Sequence, residues 1–454
     1  MNKKERIKIL IIIFAIALIV RLALFFYLYT VNGPDSFNPF LQGTDQAEYG
    51  RLAVNLSENS TFSLDKNEPF SPDPSRTPIF PLFLTIGYLI GGSFFIPTLL
   101  NILISVLTAI IVFEIALLIS GSKKISISTA IIFSLLPYGV YLSNLIMADT
   151  LFVFLFSLFV FFFLKIIKQK SIQFKIIILG AVFLGLATLV RPITQFFVLI
   201  PAVLLLFLPS IDFKKKISAS LMFLMIFVIV LSPWLTRNYL HFNEFFLSSI
   251  GRYHLYASYF TPWKAYREGI SRDEAHARML VYIKAKYGLS SLHGVETSTA
   301  LANEAKKEIL THPLSYGFFH LSTVPIYFFN NDFLLVLREA FKVELPNVYI
   351  AQKIFTGDFG GLADSIFGLN LFFILLFLVS YLFVALKFVF GVLGGVFYLW
   401  RDKLVAFFSL TTILYFPLII GSEGHARFRL PVEVFLIIFS LILISQLYNR
   451  FKKC

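Results

Sequence analysis

Asp45 and Glu48 stand three residues apart in "GTDQAEYG", immediately after the first long apolar run of the chain, with Tyr49 beside them. A carboxylate held at the rim of a cavity can take a proton from an incoming hydroxyl, which makes Asp45 a candidate general base and Glu48 its support. The same pair also reads as a capping box, with Asp45 as N-cap and Glu48 at the third helical position. The two readings are compatible, because a carboxylate at a helix start is held rigidly. Asp149, in "NLIMADTLF", is a third carboxylate of this kind, again either an N-cap or part of a site. Basic candidates accompany them: Arg76 in "FSPDPSRTPIFPLFL", Arg191 in "LATLVRPITQFF", Arg237 in "SPWLTRNYLHFNEFF", and His425, Arg427 and Arg429 in "GSEGHARFRLPVE". Arginine presents a planar fork of donors that suits phosphate, so these residues could hold an anionic group. Pairing with the three carboxylates or with lipid headgroups is the simpler role for the set, and snorkelling is the simpler role for Arg76. Cys454 is the only cysteine, and no histidine spacing demands a metal, so no metal site or cofactor is expected.

The elements that must position these groups follow from composition. The chain has 454 residues, 57% of them hydrophobic and only 14% charged, against about a quarter in a soluble domain. Several stretches run for about 20 residues without a charge, long enough to cross a bilayer core. Their apolar residues are continuous rather than alternating, which selects helices over a barrel. An all-α polytopic membrane protein is therefore expected. The net charge of +13 falls largely in short loops, a topological signal rather than a sign of nucleic-acid binding. Basic clusters at Lys3/Lys4/Arg6/Lys8, Lys123/Lys124, Lys165–Lys175, Lys214–Lys216, Arg401/Lys403 and Arg450–Lys453 mark one side. Spans over 9–31, 94–120, 125–143, 147–167, 174–190, 192–209 and 217–236 alternate between them, the first a retained anchor.

This alternation places 32–93, the turn at 143–149 and 237–315 on the far side. Helical patterns near 271–287 and 297–311 predict helices in the last of these. Segment 316–336 either spans or lies in the interface, 366–400 is long for one crossing, and 404–420 and 430–448 are clear spans. The total predicted is roughly ten to twelve helices. Three regions result: a transmembrane core over 1–236 with 32–93 as its first outer loop, an outer-face segment over 237–315, and a C-terminal transmembrane region over 316–454. Asn55 and Asn59 fit the glycosylation sequon. Arg191, Arg237, Arg427 and Arg429 all fall on the side that basic residues avoid, and an anion bound there would explain them. Arg21 and Glu114, inside spans, would be a structural ion pair or snorkelling residues.

The motifs "DQAEYGRLAVNL", "RTPIFPLFLTIGYLIGG", "MADTLFVFLF", "GLATLVRPIT", "PWLTRNYLHFNEFF", "ALANEAKKEILTHPLSY" and "HARFRLPVE" follow one another over almost the whole length. In that order the chain resembles the membrane glycosyltransferases of the GT-C superfamily, in the family-39-like branch that includes bacterial aminoarabinose and protein-mannosyl transferases. The resemblance implies a GT-C bundle with outer-face loop helices and a polyprenyl-phosphate-linked sugar donor. It implies transfer, usually with inversion, at the outer face of a bacterial inner membrane. Asp45 falls at the position of the family's base, Glu48 at the next acidic position and Asp149 at the acidic position of the second outer loop. The outer arginines would then hold the donor phosphate, with Arg76, His425 and Tyr49 lining the substrate cavity. The acceptor would be a glycan, a lipid or a protein, surrounded by membrane lipids. Where the family often has Arg-Pro-Pro, this chain has Arg76-Thr77-Pro78. A transporter or flippase of polyprenyl-linked sugars is the competing class, but ionisable groups cluster at one face and no internal repeat is evident.

Overall fold

The computed structural model describes residues 2–288, 294–345, 360, 371–421 and 424–452, all of them helical or irregular. The N-terminal half runs α1 (Lys3–Asn32), α2 (Thr44–Glu58), α3 (Ile79–Gly91), α4 (Phe95–Ser120), α5 (Lys123–Ser134), α6 (Pro137–Leu142), α7 (Asp149–Gln169), α8 (Phe174–Val190), α9 (Leu199–Leu206) and α10 (Phe213–Phe242). Four further helices follow as α11 (Ile250–His254), α12 (Thr261–Glu268), α13 (Arg272–Tyr287) and α14 (Val295–Thr311), and the chain continues as α15 (Pro313–Phe329), α16 (Asp332–Glu339), α17 (Leu371–Tyr398), α18 (Lys403–Ile420) and α19 (Leu430–Phe451).

Seven helices among the described residues are long and apolar enough to cross a membrane, and three shorter apolar helices, Ile79–Gly91, Phe174–Val190 and Pro192–Leu206, accompany them. By length and composition, then, seven candidate spans stand among the described residues, fewer than the ten to twelve helices expected. The span expected over 125–143 is not one helix. It stops after Ser134 and restarts at Pro137, which supplies no N–H to the preceding turn. The span over 192–209 likewise divides into a 3-10 turn at Pro192–Thr194 and the eight-residue α9. In 316–336, the Asn330-Asn331 pair ends α15, and the Asn331 side chain caps α16 through the N–H groups of Phe333 and Leu334. The described part of 366–400 is a single helix, and 361–370 lie outside the described residues.

Ion pairs identify the two ends of the bundle. Lys123 meets Glu5, Arg6 donates to Glu114 and Lys168 to Asp402, which brings several of the basic clusters to one end. Arg21 and Glu114 are not partners. Arg21 is buried and donates to the Ser105 hydroxyl and to the Ala17 and Ser134 carbonyls, which satisfies its donors inside the bundle. Asn55 is buried, with its amide donating to the Ser63 and Asp65 carbonyls, so the first sequon is a structural asparagine rather than an accessible one.

Close helix packing holds the C-terminal helices against the core. A Cβ on Gly391 of α17 would lie 2.9 Å from the Leu436 Cα of α19, so only glycine permits this approach. The same interface carries a buried network in which Lys387 donates to Glu433 at 2.8 Å and Arg429 donates to Glu433 at 2.6 Å. At the other end of the bundle, Trp234 donates to the Leu247 carbonyl and Asn238 to the Phe246 carbonyl, turning the chain away from α10. Helices α12 to α14 and the turn before them then close on a small core of their own around Tyr256, Phe260, Trp263, Met279 and Leu301.

Candidate active site

The opposite end of the bundle from the Lys123–Glu5 pair gathers three arginines and three carboxylates. Helix α2 begins at Thr44 with Gly43 as its N-cap and no side-chain cap. Asp45 is therefore the second helical residue, and the capping-box reading fails. Its carboxylate turns instead to arginine, accepting from Arg76 Nη2 at 2.6 Å and from Arg427 Nη1 at 3.3 Å. Glu48, one turn on, accepts from Arg76 Nε at 2.7 Å, and the Arg76 guanidinium lies 4.7 Å from the centre of the Tyr49 ring. Arg76 thus clamps two successive carboxylates of one helix, which excludes the snorkelling reading.

The loop before α3 holds that clamp in place. Asp73 is buried and accepts from the Ser75 hydroxyl at 2.7 Å and the Arg76 backbone N–H at 2.9 Å. Burial raises the Asp73 carboxyl above its ordinary range, the cost of keeping a carboxylate under the loop.

Asp149 opens α7 as its first residue and caps nothing with its side chain. It is buried and accepts from Arg191, whose guanidinium lies 4.9 Å from the Phe428 ring centre. Arg427 stacks on the same ring at 4.7 Å. One aromatic residue therefore supports two guanidiniums, each with a carboxylate partner, and cation–π attraction offsets their mutual repulsion.

A cavity of about 460 Å³ opens beside Asp45. Its wall includes Asp45, Arg427 and His425 from the expected set, together with Tyr138, Glu339 and Lys342. The Tyr138 hydroxyl donates to Glu339 at 3.1 Å and lies 3.5 Å from His425 Nε2. Glu48, Tyr49 and Arg76 stand behind Asp45 rather than in the wall, and Asp149 with Arg191 stands to the side. Tyr49 packs edge-on against Phe80 and supports the clamp instead of lining the cavity.

Two arginines expected here are elsewhere. Arg237 donates to the Asp73 carbonyl at 2.8 Å and lies over Trp234, so it fastens the Arg76 loop. Arg429 is only 1% exposed, with its donors taken by Glu433, Asp332 and the Phe328 and Asn330 carbonyls. It is a structural charge, because its donors are already saturated inside the protein. No sequence pattern marks Tyr138, Glu339, Lys342 or Phe428. Phe428 lies inside "HARFRLPVE", but an aromatic residue in an aromatic-rich chain carries no distinguishing mark.

The electrostatics of Asp45 follow from these contacts. Burial alone pushes its carboxyl up, but the charges of Arg76 and Arg427, the hydrogen bond from Arg76 and the field of Arg191 hold it well below the usual carboxylate range. For Arg76, burial acts downward and is more than reversed by Tyr49, Asp45 and Glu48. Asp45 is thus an ionised carboxylate and a weak base while both guanidiniums hold it. Arg427 also carries a buried Nε–H with no acceptor among the described residues. Lys342 makes no ion pair among them. Among the described residues, no three His, Cys, Asp or Glu side chains are grouped to hold a metal ion.

Comparison with known proteins agrees with this architecture. Residues 75–236 match the family described as dolichyl-phosphate-mannose-protein mannosyltransferase. The oligosaccharyltransferase of Archaeoglobus fulgidus, solved with a tethered acceptor peptide containing the NVT sequon, superposes with a TM-score of 0.53 at 14% identity, over 99% of this chain and 50% of its own. The same archaeal enzyme, AglB, in complex with an inhibitory peptide and a dolichol-phosphate, superposes with a TM-score of 0.51 at 15% identity, over 99% and 52%. ArnT from Cupriavidus metallidurans bound to undecaprenyl phosphate gives a TM-score of 0.41 at 13% identity, over 94% and 77%, too loose to add to the fold assignment. No curated protein matches by sequence. The chain spans about half the length of the archaeal enzyme. The chain thus shares the fold of the archaeal enzyme, and residues 75–236 resemble the mannosyltransferase family, in line with the all-α integral membrane architecture that the ordered motifs implied.

Proposed function

We propose that this protein transfers a sugar from a polyprenyl-phosphate-linked donor to a cell-envelope acceptor, with inversion, at the outer face of a bacterial inner membrane. The observation that carries this reading is the pairing of an ionised Asp45 with Arg427 in the wall of one cavity, where Arg427 retains an unpartnered buried donor. The family match names a dolichyl-phosphate-linked mannose donor, and the archaeal structures hold a dolichol-phosphate and an acceptor peptide, which supports a lipid-linked donor here.

The geometry supports the following chemistry. The donor phosphate docks on Arg427 and Lys342, and Arg427 exchanges Asp45 for phosphate oxygens, a contact suited to its fork of donors. Released from one of its two guanidiniums, Asp45 becomes a stronger base. It takes the proton of the acceptor hydroxyl while the hydroxyl oxygen attacks the anomeric carbon from the face opposite the phosphate. The bond from that carbon to the phosphate oxygen breaks, its electron pair leaves with the polyprenyl phosphate, and Arg427 stabilises the added charge. Arg76 keeps Asp45 oriented throughout, and the Asp149–Arg191 pair holds Phe428 and hence Arg427 in place.

The test is to supply the purified protein in lipid nanodiscs with a polyprenyl-phosphate mannose and a mixture of envelope acceptors, and to follow free polyprenyl phosphate by mass spectrometry. Acceptor-dependent release of polyprenyl phosphate is expected. Movement of intact lipid-linked sugar across proteoliposomes with no release would overturn the transferase reading in favour of a flippase.

A further inference from the structure

A second cleft, of about 1000 Å³, lies between the end of α10 and helices α13 and α14. It shares no wall residue with the cavity beside Asp45. Aromatic rings line it at Tyr239, Phe242 and Tyr287, and amide or carboxylate groups at Asn243, Glu296 and Asn303. The side chains of Asn243, Glu296 and Asn303 make no hydrogen bond to any described residue, so their donors and acceptors face the cleft or solvent. No lysine or arginine is among the described residues in its wall, in contrast to the Arg427 and Lys342 of the other cavity.

That chemistry discriminates between ligands. Glu244 is already paired with Arg252, and Glu296 makes no ion pair among the described residues, so the wall offers one uncompensated carboxylate and no free cation to hold phosphate or another anion. The interleaved aromatic faces and amides instead match a ligand that offers flat C–H faces on one side and hydroxyls on the other, which is the pattern of a sugar ring. The volume is at the upper end of the roughly 300–1,000 Å³ of small-molecule sites, room for more than one such ring. Tyr239 is stacked on Phe245 at 4.5 Å, which presents its ring as a rigid platform.

The cleft is also joined to the catalytic loop. The segment that follows Glu244 bonds directly to it, with Ser249 N–H donating to the Pro74 carbonyl at 2.9 Å and the Ser248 hydroxyl donating to the Ser75 carbonyl. Arg252 donates to Glu244 and Thr299 and so ties the two walls of the cleft together. Arg76, the clamp on Asp45, is the residue after Ser75.

We infer that this cleft binds an uncharged oligosaccharide, the distal part of a glycan acceptor whose reacting end enters the cavity beside Asp45. The assignment of the bound glycan as acceptor rests on the transferase reading above; its binding to the cleft does not.

The experiment uses the full chain in nanodiscs on surfaces carrying hexasaccharides of glucose, N-acetylglucosamine, mannose and galactose, with a phosphorylated mannose hexasaccharide and an unrelated hexapeptide as comparisons. Retention on at least one neutral hexasaccharide is expected, and Tyr239→Ala and Asn303→Ala should each weaken it about tenfold, the loss of one ring face or one amide contact (about 1.4 kcal/mol). Both positions are exposed, so folding should be preserved, and Lys306→Ala on the same helix should leave retention unchanged. Asp45→Asn should keep retention while losing transfer, which separates failure of the cleft from failure of the transferase reading. Retention on none of the neutral hexasaccharides, preference for the phosphorylated one or for the peptide, or retention indifferent to both cleft variants would overturn the inference.

Discussion

Replacing Asp45 by asparagine tests the base with little structural interference. The substitution keeps side-chain size, and because Gly43 rather than Asp45 caps α2, no cap is lost. What is lost in the resting protein is one carboxylate facing two guanidiniums. The Asp45 side chain is 35% exposed, Arg76 keeps its second partner Glu48, and solvent screening limits the cost to about 1 kcal/mol. A shift in melting temperature of a few degrees at most is expected. The rate is a different matter. Asparagine cannot accept the acceptor proton, and positioned proton transfer contributes about 10²–10⁴-fold, so kcat should fall by at least two orders of magnitude. The donor KM should stay within about threefold or decrease, since removal of Asp45 leaves Arg427 freer for phosphate. The assay is single-turnover release of polyprenyl phosphate at saturating lipid-linked sugar, with protein matched by in-gel fluorescence. A kcat within threefold of the parent would remove Asp45 from the proton transfer and leave Glu339, the other carboxylate in the cavity wall, to be tested next.

Arg427→Ala should raise the donor KM by about tenfold or more, whereas Arg429→Ala should reduce folded yield, because it leaves Asp332 buried without its ion-pair partner and Glu433 with Lys387 alone; equal effects on donor KM would contradict the division between site and scaffold. The depressed carboxyl of Asp45 sets a pH expectation: its pKa is lowered on folding, so its stabilising contribution is complete above the unfolded value of about 3.9 and is lost only as pH falls through the lower folded value. Accordingly kcat/KM of the free enzyme should show no acid limb from this group between about pH 5 and 8, and a limb near pH 6 that disappears in Asp45→Asn would refute the ion-pair geometry. Gly391→Val should separate α17 from α19 and cost about 1–3 kcal/mol, read as a lower melting temperature in nanodiscs with the donor KM of the surviving protein unchanged.

Much of this molecule is legible without coordinates, because membrane insertion imposes one-dimensional rules. A stretch such as Phe95–Ser120 must be helical and spanning, since it is long, apolar and has no other way to satisfy its backbone in lipid. The all-α polytopic fold, the gathering of Asp45, Asp149, Arg191 and Arg427 at one end, and the presence of helices in 237–315 follow from the same rules and from the order of motifs. The failures are of a different kind. Local pattern made Asp45 and Asp149 N-caps, yet a carboxylate chooses the strongest donor that three dimensions bring to it, and a guanidinium from a distant loop outcompetes a nearby backbone N–H. Bias against basic residues on one side grouped Arg237 and Arg429 with Arg427, although the three residues lie in separate environments. Arg429 is two positions from Arg427, but a 3-10 turn points one guanidinium into a buried ion network and the other into the cavity. Glu339, Tyr138 and Lys342 join the site only because α16 and α6 end against each other, a contact between segments about 200 residues apart that no local pattern announces. Sequence by itself determined which segments cross and that Asp45, Asp149, Arg191 and Arg427 share one end of the bundle, because burial in lipid is decided residue by residue. Which of those groups touch, and so which can exchange a proton or a phosphate, was decided only by tertiary packing, because hydrogen bonds and ion pairs depend on ångström-scale approach between helices distant in the chain.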